Sequence, residues 1–280
     1  MLGASAAFAC MAASVKLASL RGVPFGQLLF YRGFISLVLM SAYMHLAGVS
    51  FATPHWKAHL QRGLAGFGGM ILYFGGIRLL PLAGAVTLNY TSPLILAGTL
   101  LVMHRERPPR VMLAAMLSGF AGILLLMRPS YDSSQWFGVL LALGSAVTAV
   151  IAALNIRSLG QLKEPIARTA AYFALYATIG ALPWFVLSDF RQVDLHGAAY
   201  LAAIGVFATL GQVMLTLAYQ RGHTLLVSLL GYAQVIFATL FGIGLWGEHP
   251  GVISWLAIAL IVASGVVATV FVRSAPLRKT

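Results

Sequence analysis

The sequence predicts an all-α polytopic membrane protein with ten transmembrane helices in two inverted five-helix repeats. Three observations predict it. Of 280 residues, 60% are hydrophobic and 9% charged, where soluble domains carry roughly one quarter charged side chains. Ten apolar stretches can be marked along the chain, each near the length of roughly 20 residues that a spanning helix needs. Short segments in the two halves of the chain also align with one another at a nearly constant offset.

Charges and turn residues punctuate the stretches in order. An Ala-rich span over 2–19 carries Lys16 with no basic residue before it, so a cleaved signal peptide is not expected. Arg21-Gly22-Val23-Pro24 leads into 26–48, and the third span, 63–79, is short. It lies between Arg62 and Arg78 and holds Gly63, Gly66, Gly68, Gly69, Gly75 and Gly76, the kind of Gly-rich segment found near transporter sites. The fourth, 82–103, contains the polar run Asn89-Tyr90-Thr91-Ser92 followed by Pro93. Proline removes a backbone donor and frees a carbonyl one turn back. Arg105 to Arg110, Arg128 to Asp132 and Lys163-Glu164-Pro165 separate spans 110–127, 134–156 and 168–188, and three more follow at 196–219, 224–246 and 252–272. Continuous apolar runs of this length exclude a lipid-facing barrel, whose strands alternate with period two.

The chain carries 18 Lys plus Arg against 6 Asp plus Glu, a net charge of +12. The basic residues stand singly between apolar runs, not on one face, which disfavours nucleic acid as a partner. Six of them, Lys16, Arg21, Arg32, Arg78, Arg128 and Arg191, fall on one side of a ten-span chain, and the other twelve fall opposite. That asymmetry predicts both termini in the cytoplasm and a multi-pass protein of the cell's inner (plasma) membrane. Cys10 is the sole cysteine, so no disulfide can form within the chain.

The repeat aligns Val86-Thr87-Leu88 with Val227-Ser228-Leu229, and Pro93 to Ala97 with Gln234 to Ala238, both offset by 141 residues. Glu106-Arg107-Pro108 aligns with Glu248-His249-Pro250 at 142. The predicted repeats are 1–129 and 130–280. Each holds five spans, and because five is odd the second copy enters the membrane from the opposite side, a common plan in secondary transporters with a midplane site.

Tyr31-Arg32-Gly33, Arg78 to Ala85 leading into Ser92-Pro93, and Glu106-Arg107-Pro108 carry a family resemblance in the first half. Ala218 to His223, Gly231-Tyr232-Ala233-Gln234 and Trp246-Gly247-Glu248 carry it in the second. Over nearly its whole length the chain resembles the EamA-type branch of the drug/metabolite transporter superfamily, which includes YddG-type exporters of aromatic amino acids. The resemblance implies two inverted five-helix modules, alternating access and export of small metabolites.

Polar side chains at membrane depth are costly and usually face a bundle interior or cavity. The expected substrate-binding residues are Tyr73, Asn89, Tyr90, Ser92, Asn155, Gln212, Tyr232 and Gln234. For Asn89, Gln212 and Gln234 the competing reading is hydrogen bonding between helices. For the tyrosines it is packing or an interfacial belt. Lys16 and Arg32 are expected to snorkel from span ends, with a carboxylate clamp as the functional alternative. Glu106 and Glu248 are expected to be structural.

No Asp or Glu lies in mid-span, which disfavours proton-driven efflux of cationic drugs. An intramembrane enzyme would need a nucleophile with its base, or metal-ligand spacing, at membrane depth. The seven histidines instead fall at or near span ends, so the chain is expected not to be an enzyme and to need no cofactor or metal. The expected substrates are aromatic or other large neutral amino acids. Nucleotide-like or cationic metabolites, such as a sulfonium cofactor or a drug, stand as the alternative, and the partners are that small molecule and the lipid bilayer.

Overall fold

The computed structural model describes residues 1–80, 82–103, 108–127, 135–187, 192–247 and 249–274, and all of their regular structure is helical. In chain order the helices are α1 (Leu2–Leu20), α2 (Phe25–Leu46), α3 (Trp56–Leu79), α4 (Leu82–Asn89), α5 (Ser92–Met103), α6 (Arg110–Met127), α7 (Trp136–Gln161), α8 (Ile166–Leu187), α9 (Leu195–Arg221), α10 (Thr224–Leu230), α11 (Ala233–Trp246) and α12 (Val252–Ser274). Among the described residues, eight helical stretches are long and apolar enough to cross a membrane, with α4 running into α5 and α10 into α11 as single stretches. The chain is a multi-pass membrane protein. Large apolar side chains such as Leu46, Val186, Leu187 and Val252 are mostly exposed, the outward surface that a lipid solvent accepts.

The ends of the elements follow the sequence closely, with two exceptions. α7 runs to Gln161, beyond the expected stop at 156. α3 begins at Trp56 and is 24 residues long, so the expected short third span is corrected. A cation normally ends a span, which makes Arg62 the boundary by sequence, but here His59 and Arg62 are buried inside the helix's packing, at 0% and 3% exposure.

Two spans are broken, the first where the polar run suggested and the second, read as one continuous span over 224–246, at Gly231-Tyr232. Between α4 and α5, Thr91 N–H donates to Leu88 O and Thr91 Oγ1 donates to the same carbonyl at 2.6 Å. Pro93 falls in the first turn of α5, where a missing N–H costs nothing. Between α10 and α11, Gly231, Tyr232, Gln234 and Val235 N–H groups each donate three residues back, a tight turn made without proline.

The chain forms two compact units. The first comprises 1–67, 152–221 and 237–246, and the second 68–151, 222–236 and 247–280, so each draws on both halves of the sequence. In the first, α2 packs on α8 and α9, and α1 on α9. Its contacts are close because small residues line them: a Cβ on Gly205 would lie 2.4 Å from Ile35, and one on Gly33 2.8 Å from Thr178. Met40 and Met44 of α2 sit on Ala167, Ala170 and Ala171 of α8. In the second, α6 packs on α12, and α10 on α5 and α12. Gly75 and Gly76 of α3 lie against Leu141 and Ala142 of α7 there, so helix packing accounts for the glycines near the end of α3.

The expectations for Glu106, Glu248 and the connection 128–132 fall outside the described residues.

Candidate functional site

The first unit contains a cavity within its helix packing. Arg32, Gly33, Ser36 and Met40 of α2 line one wall. Phe173, with Ala170, Ala174 and Ala177, comes from α8, and Ala208, Thr209 and Gln212 come from α9. The wall therefore joins a helix of the first sequence half to two of the second. Its interior has room for only about one water-sized group, so a larger ligand needs the helices to part.

Small side chains on α8 create the space, and three polar groups edge it. Thr209 Oγ1 donates to Gly205 O at 2.7 Å and contacts Ser36 Oγ at 2.9 Å, linking α9 to α2. Gln212, 7% exposed, holds Nε2 at 3.4 Å from Thr216 Oγ1, whose own proton goes to Gln212 O. Its amide thus combines a long internal contact with a place in the cavity wall.

Arg32 corrects the snorkelling expectation. It is the eighth residue of α2 and half-buried, with Nε 3.4 Å from Met11 Sδ, and it forms part of the cavity lining instead of reaching a helix end. Lys16 lies near the end of α1 with Nζ 3.8 Å from the centre of the Trp246 ring, a cation on an aromatic face. By sequence Arg62 is one of the basic residues at a span end, with no role beyond orientation. Its guanidinium carbon sits 4.4 Å from the centre of the Phe173 ring, and Phe173 is itself a wall of the cavity. Nε and Nη1 of Arg62 are buried with no hydrogen-bond partner among the described residues. The signal was present in the sequence, since an ionisable residue inside a helix is a functional candidate, but Arg62 stood where the apolar run began.

One turn before Arg62 the same helix enters a different charged cluster. Glu164, 6% exposed, sits between α7 and α8 and accepts hydrogen bonds from Thr53 Oγ1, from His55 Nδ1 at 2.9 Å and from Arg168 Nη1 at 2.9 Å. His59 Nε2 approaches its second oxygen at 3.3 Å while its ring stacks on Tyr172. Burial pushes the Glu164 carboxyl up, but the bonds from Thr53, His55 and Arg168 outweigh that and hold it down at about 2. Arg168 Nε and Tyr172 OH also donate to the carbonyls of Ser50 and Phe51, so the cluster pins the α2–α3 connection to α8.

The eight expected residues divide between the units. Gln212 and half-buried Asn155 are in the first; Tyr73, Asn89, Tyr90, Ser92, Tyr232 and Gln234 are in the second. In the second unit Tyr90 and Tyr232, one from each broken span, meet edge to face with ring centres 6.0 Å apart. Tyr232 is 1% exposed, its ring rests against Gly119 of α6, and its hydroxyl has no partner among the described residues. Asn89 Nδ2 donates to Ser145 Oγ at 2.8 Å, a bond from α4 to α7. Ser92, Gln234 and Tyr73 are half-buried.

Comparison with known proteins bears on this arrangement. The chain is 33% identical over 269 residues to the pseudopaline exporter CntI of Pseudomonas aeruginosa, covering 95% of this chain and 91% of that one. It is 24% identical to a riboflavin transporter of Brucella anthropi, over 94% of this chain and 95% of the other. Neither name is that of an aromatic amino-acid exporter, so the relatives give no support to that cargo. A crystal structure with 23% sequence identity superposes with a TM-score of 0.84 over 97% of both chains, which shows a shared fold. The description of the EamA-like transporter family matches residues 1–128 and again 136–270, and the chain belongs to that family of transporters.

Proposed function

We propose that this transporter exports a small metabolite by alternating access, with ten spans arranged as two inverted five-helix repeats, 1–129 and 130–280. One observation carries the reading: the spans broken at Tyr90-Thr91 and at Gly231-Tyr232 lie 141 residues apart, the offset of the sequence repeat. Each break falls within one of the two stretches that match the family. Five spans per copy turn the second copy over, and broken helices at matching positions are the usual pointer to a transporter's site. The cavity of the first unit, closed to about one water-sized group, fits one state of such a cycle. Both termini are cytoplasmic in this reading.

The proposed binding groups are Tyr73, Asn89, Tyr90, Ser92, Asn155, Gln212, Tyr232 and Gln234. Aromatic and amide side chains suit a zwitterion with a large apolar or aromatic part, because edge and face contacts to tyrosine contribute about 0.5 to 1.5 kcal/mol beyond area burial. Large neutral amino acids are therefore the first cargo, and pseudopaline and riboflavin are the rivals that the relatives' names supply. The test is counterflow in proteoliposomes loaded in turn with phenylalanine, tryptophan, pseudopaline and riboflavin. Exchange of labelled phenylalanine or tryptophan is expected. Exchange of a rival alone would move the cargo, and exchange of none would remove the export reading.

A further inference from the structure

The cavity of the first unit has a cationic side that the eight polar and aromatic candidates do not include. Arg62 is the seventh residue of α3, about 9 Å along the helix from its start at 1.5 Å per residue. It is 3% exposed, and two of its guanidinium nitrogens have no hydrogen-bond partner among the described residues. The two described carboxylates are engaged elsewhere, Glu164 with His55, His59 and Arg168, and Asp194 with Arg21 and His196. The flat face of Arg62 rests on Phe173, so the aromatic ring offsets part of the buried charge while leaving the in-plane N–H groups free to donate. Arg32 lines the cavity of which Phe173, the ring against Arg62, is a wall.

A buried charged donor without an acceptor is costly, and Arg62 has two such nitrogens among the described residues. A protein that needed Arg62 only for packing would carry Met or Leu there at no such cost. Backbone space is also given up to it: a Cβ on Gly66 would lie 2.2 Å from Arg62 Nη1 and 2.6 Å from Phe173, so a larger residue would displace the guanidinium or the ring. An anion meets that need, offsetting the charge of Arg62 and accepting its idle N–H groups. Planar guanidinium matches carboxylate in a two-point contact. The cavity as it stands holds about one water-sized group, so the carboxylate and the ligand behind it enter as the helices part.

We infer that Arg62 and Arg32 form the carboxylate-binding end of the transport site, so that the exported metabolite is a carboxylic acid or a zwitterion anchored through that group. The inference deepens the export reading and rests on it for the word transport, but the anion site is measured without transport. Purified full-length protein in uncharged detergent is melted with benzoate, with benzamide of the same shape, and with sodium chloride at equal ionic strength. Benzoate is expected to raise the melting temperature by about 5 °C near saturation, and benzamide and chloride to leave it unchanged. R62M should abolish the benzoate shift while melting no lower than the parent, R32M should weaken it at least severalfold, and R62K should keep part of it. Equal shifts from benzoate and benzamide, or an undiminished benzoate shift in R62M and R32M, overturn the assignment. So does stabilisation by inorganic phosphate or by phosphatidylglycerol with none from benzoate, since the site is then one for phosphate. A benzoate shift in a protein that exchanges no metabolite in vesicles retains the anion site and removes only the export reading.

Discussion

Two buried charges, Glu164 and Arg62, are linked through His59 of α3, which approaches Glu164 at 3.3 Å and precedes Arg62 by three residues, and their surroundings are opposite. Glu164 meets two hydrogen-bonded side chains at one oxygen, and Arg168 with the nearby His59 at the other. Arg62, three residues beyond His59 on α3, has an aromatic face and no acceptor for two of its nitrogens among the described residues. A buried charge with its partners in place holds a structure together. A buried charge without them stores affinity for something that arrives later, and this difference separates the scaffold of the first unit from its candidate site.

The comparison breaks most visibly at Glu164. Glu164→Gln should destabilise the protein by about 3 kcal/mol, because His55, His59 and Arg168 lose a buried counter-charge, and the loss should appear in detergent melting without any ligand. Acid gives the same result more gradually. A carboxyl held at about 2 when folded and near 4.3 when unfolded contributes stability above pH 4.3, and this is lost as the pH falls toward 2. A melting series from pH 6 to 3 should decline in the parent more steeply than in Glu164→Gln, and parallel slopes would show that the cluster does not stabilise the fold.

Gly66 gives the next largest effect. A methyl group there forces Arg62 or Phe173 to move, and overpacking of this kind costs about 1 to 3 kcal/mol. Gly66→Ala should therefore lower the melting temperature and weaken benzoate binding together, whereas Gly68→Ala, where a Cβ meets nothing within 4 Å, should do neither.

Tyr232 sharpens the contrast at the smallest scale. Its buried hydroxyl has no partner among the described residues, so Tyr232→Phe should be neutral or more stable by about 1 kcal/mol. If the hydroxyl serves cargo, counterflow of phenylalanine falls while the melting temperature holds. Falling stability with unchanged counterflow would place Tyr232 with the partnered groups.

Much of this molecule is legible in one dimension. Apolar runs bounded by charge and proline fix where helices begin and end, since lipid leaves no other way to satisfy a backbone, and Pro93 with its polar run announced the break after Asn89. The break at Gly231 was not legible, because no proline marks it and 224–246 reads as one apolar span. What the sequence could not convey was the fate of individual charges. Arg32, Arg62 and Glu164 read as snorkelling or flanking residues, because hydropathy records a charge and not what stands across from it. Only packing decides that. The alanines of α8 and the bare backbone of Gly66 let a guanidinium lie against Phe173, while the α2–α3 connection folds onto Glu164 and supplies it with donors; Arg62 has no such complement, since two of its own donors meet no acceptor among the described residues. Whether a buried charge is structure or site depends on neighbours more than 100 residues away in sequence, and those are set by the tertiary fold.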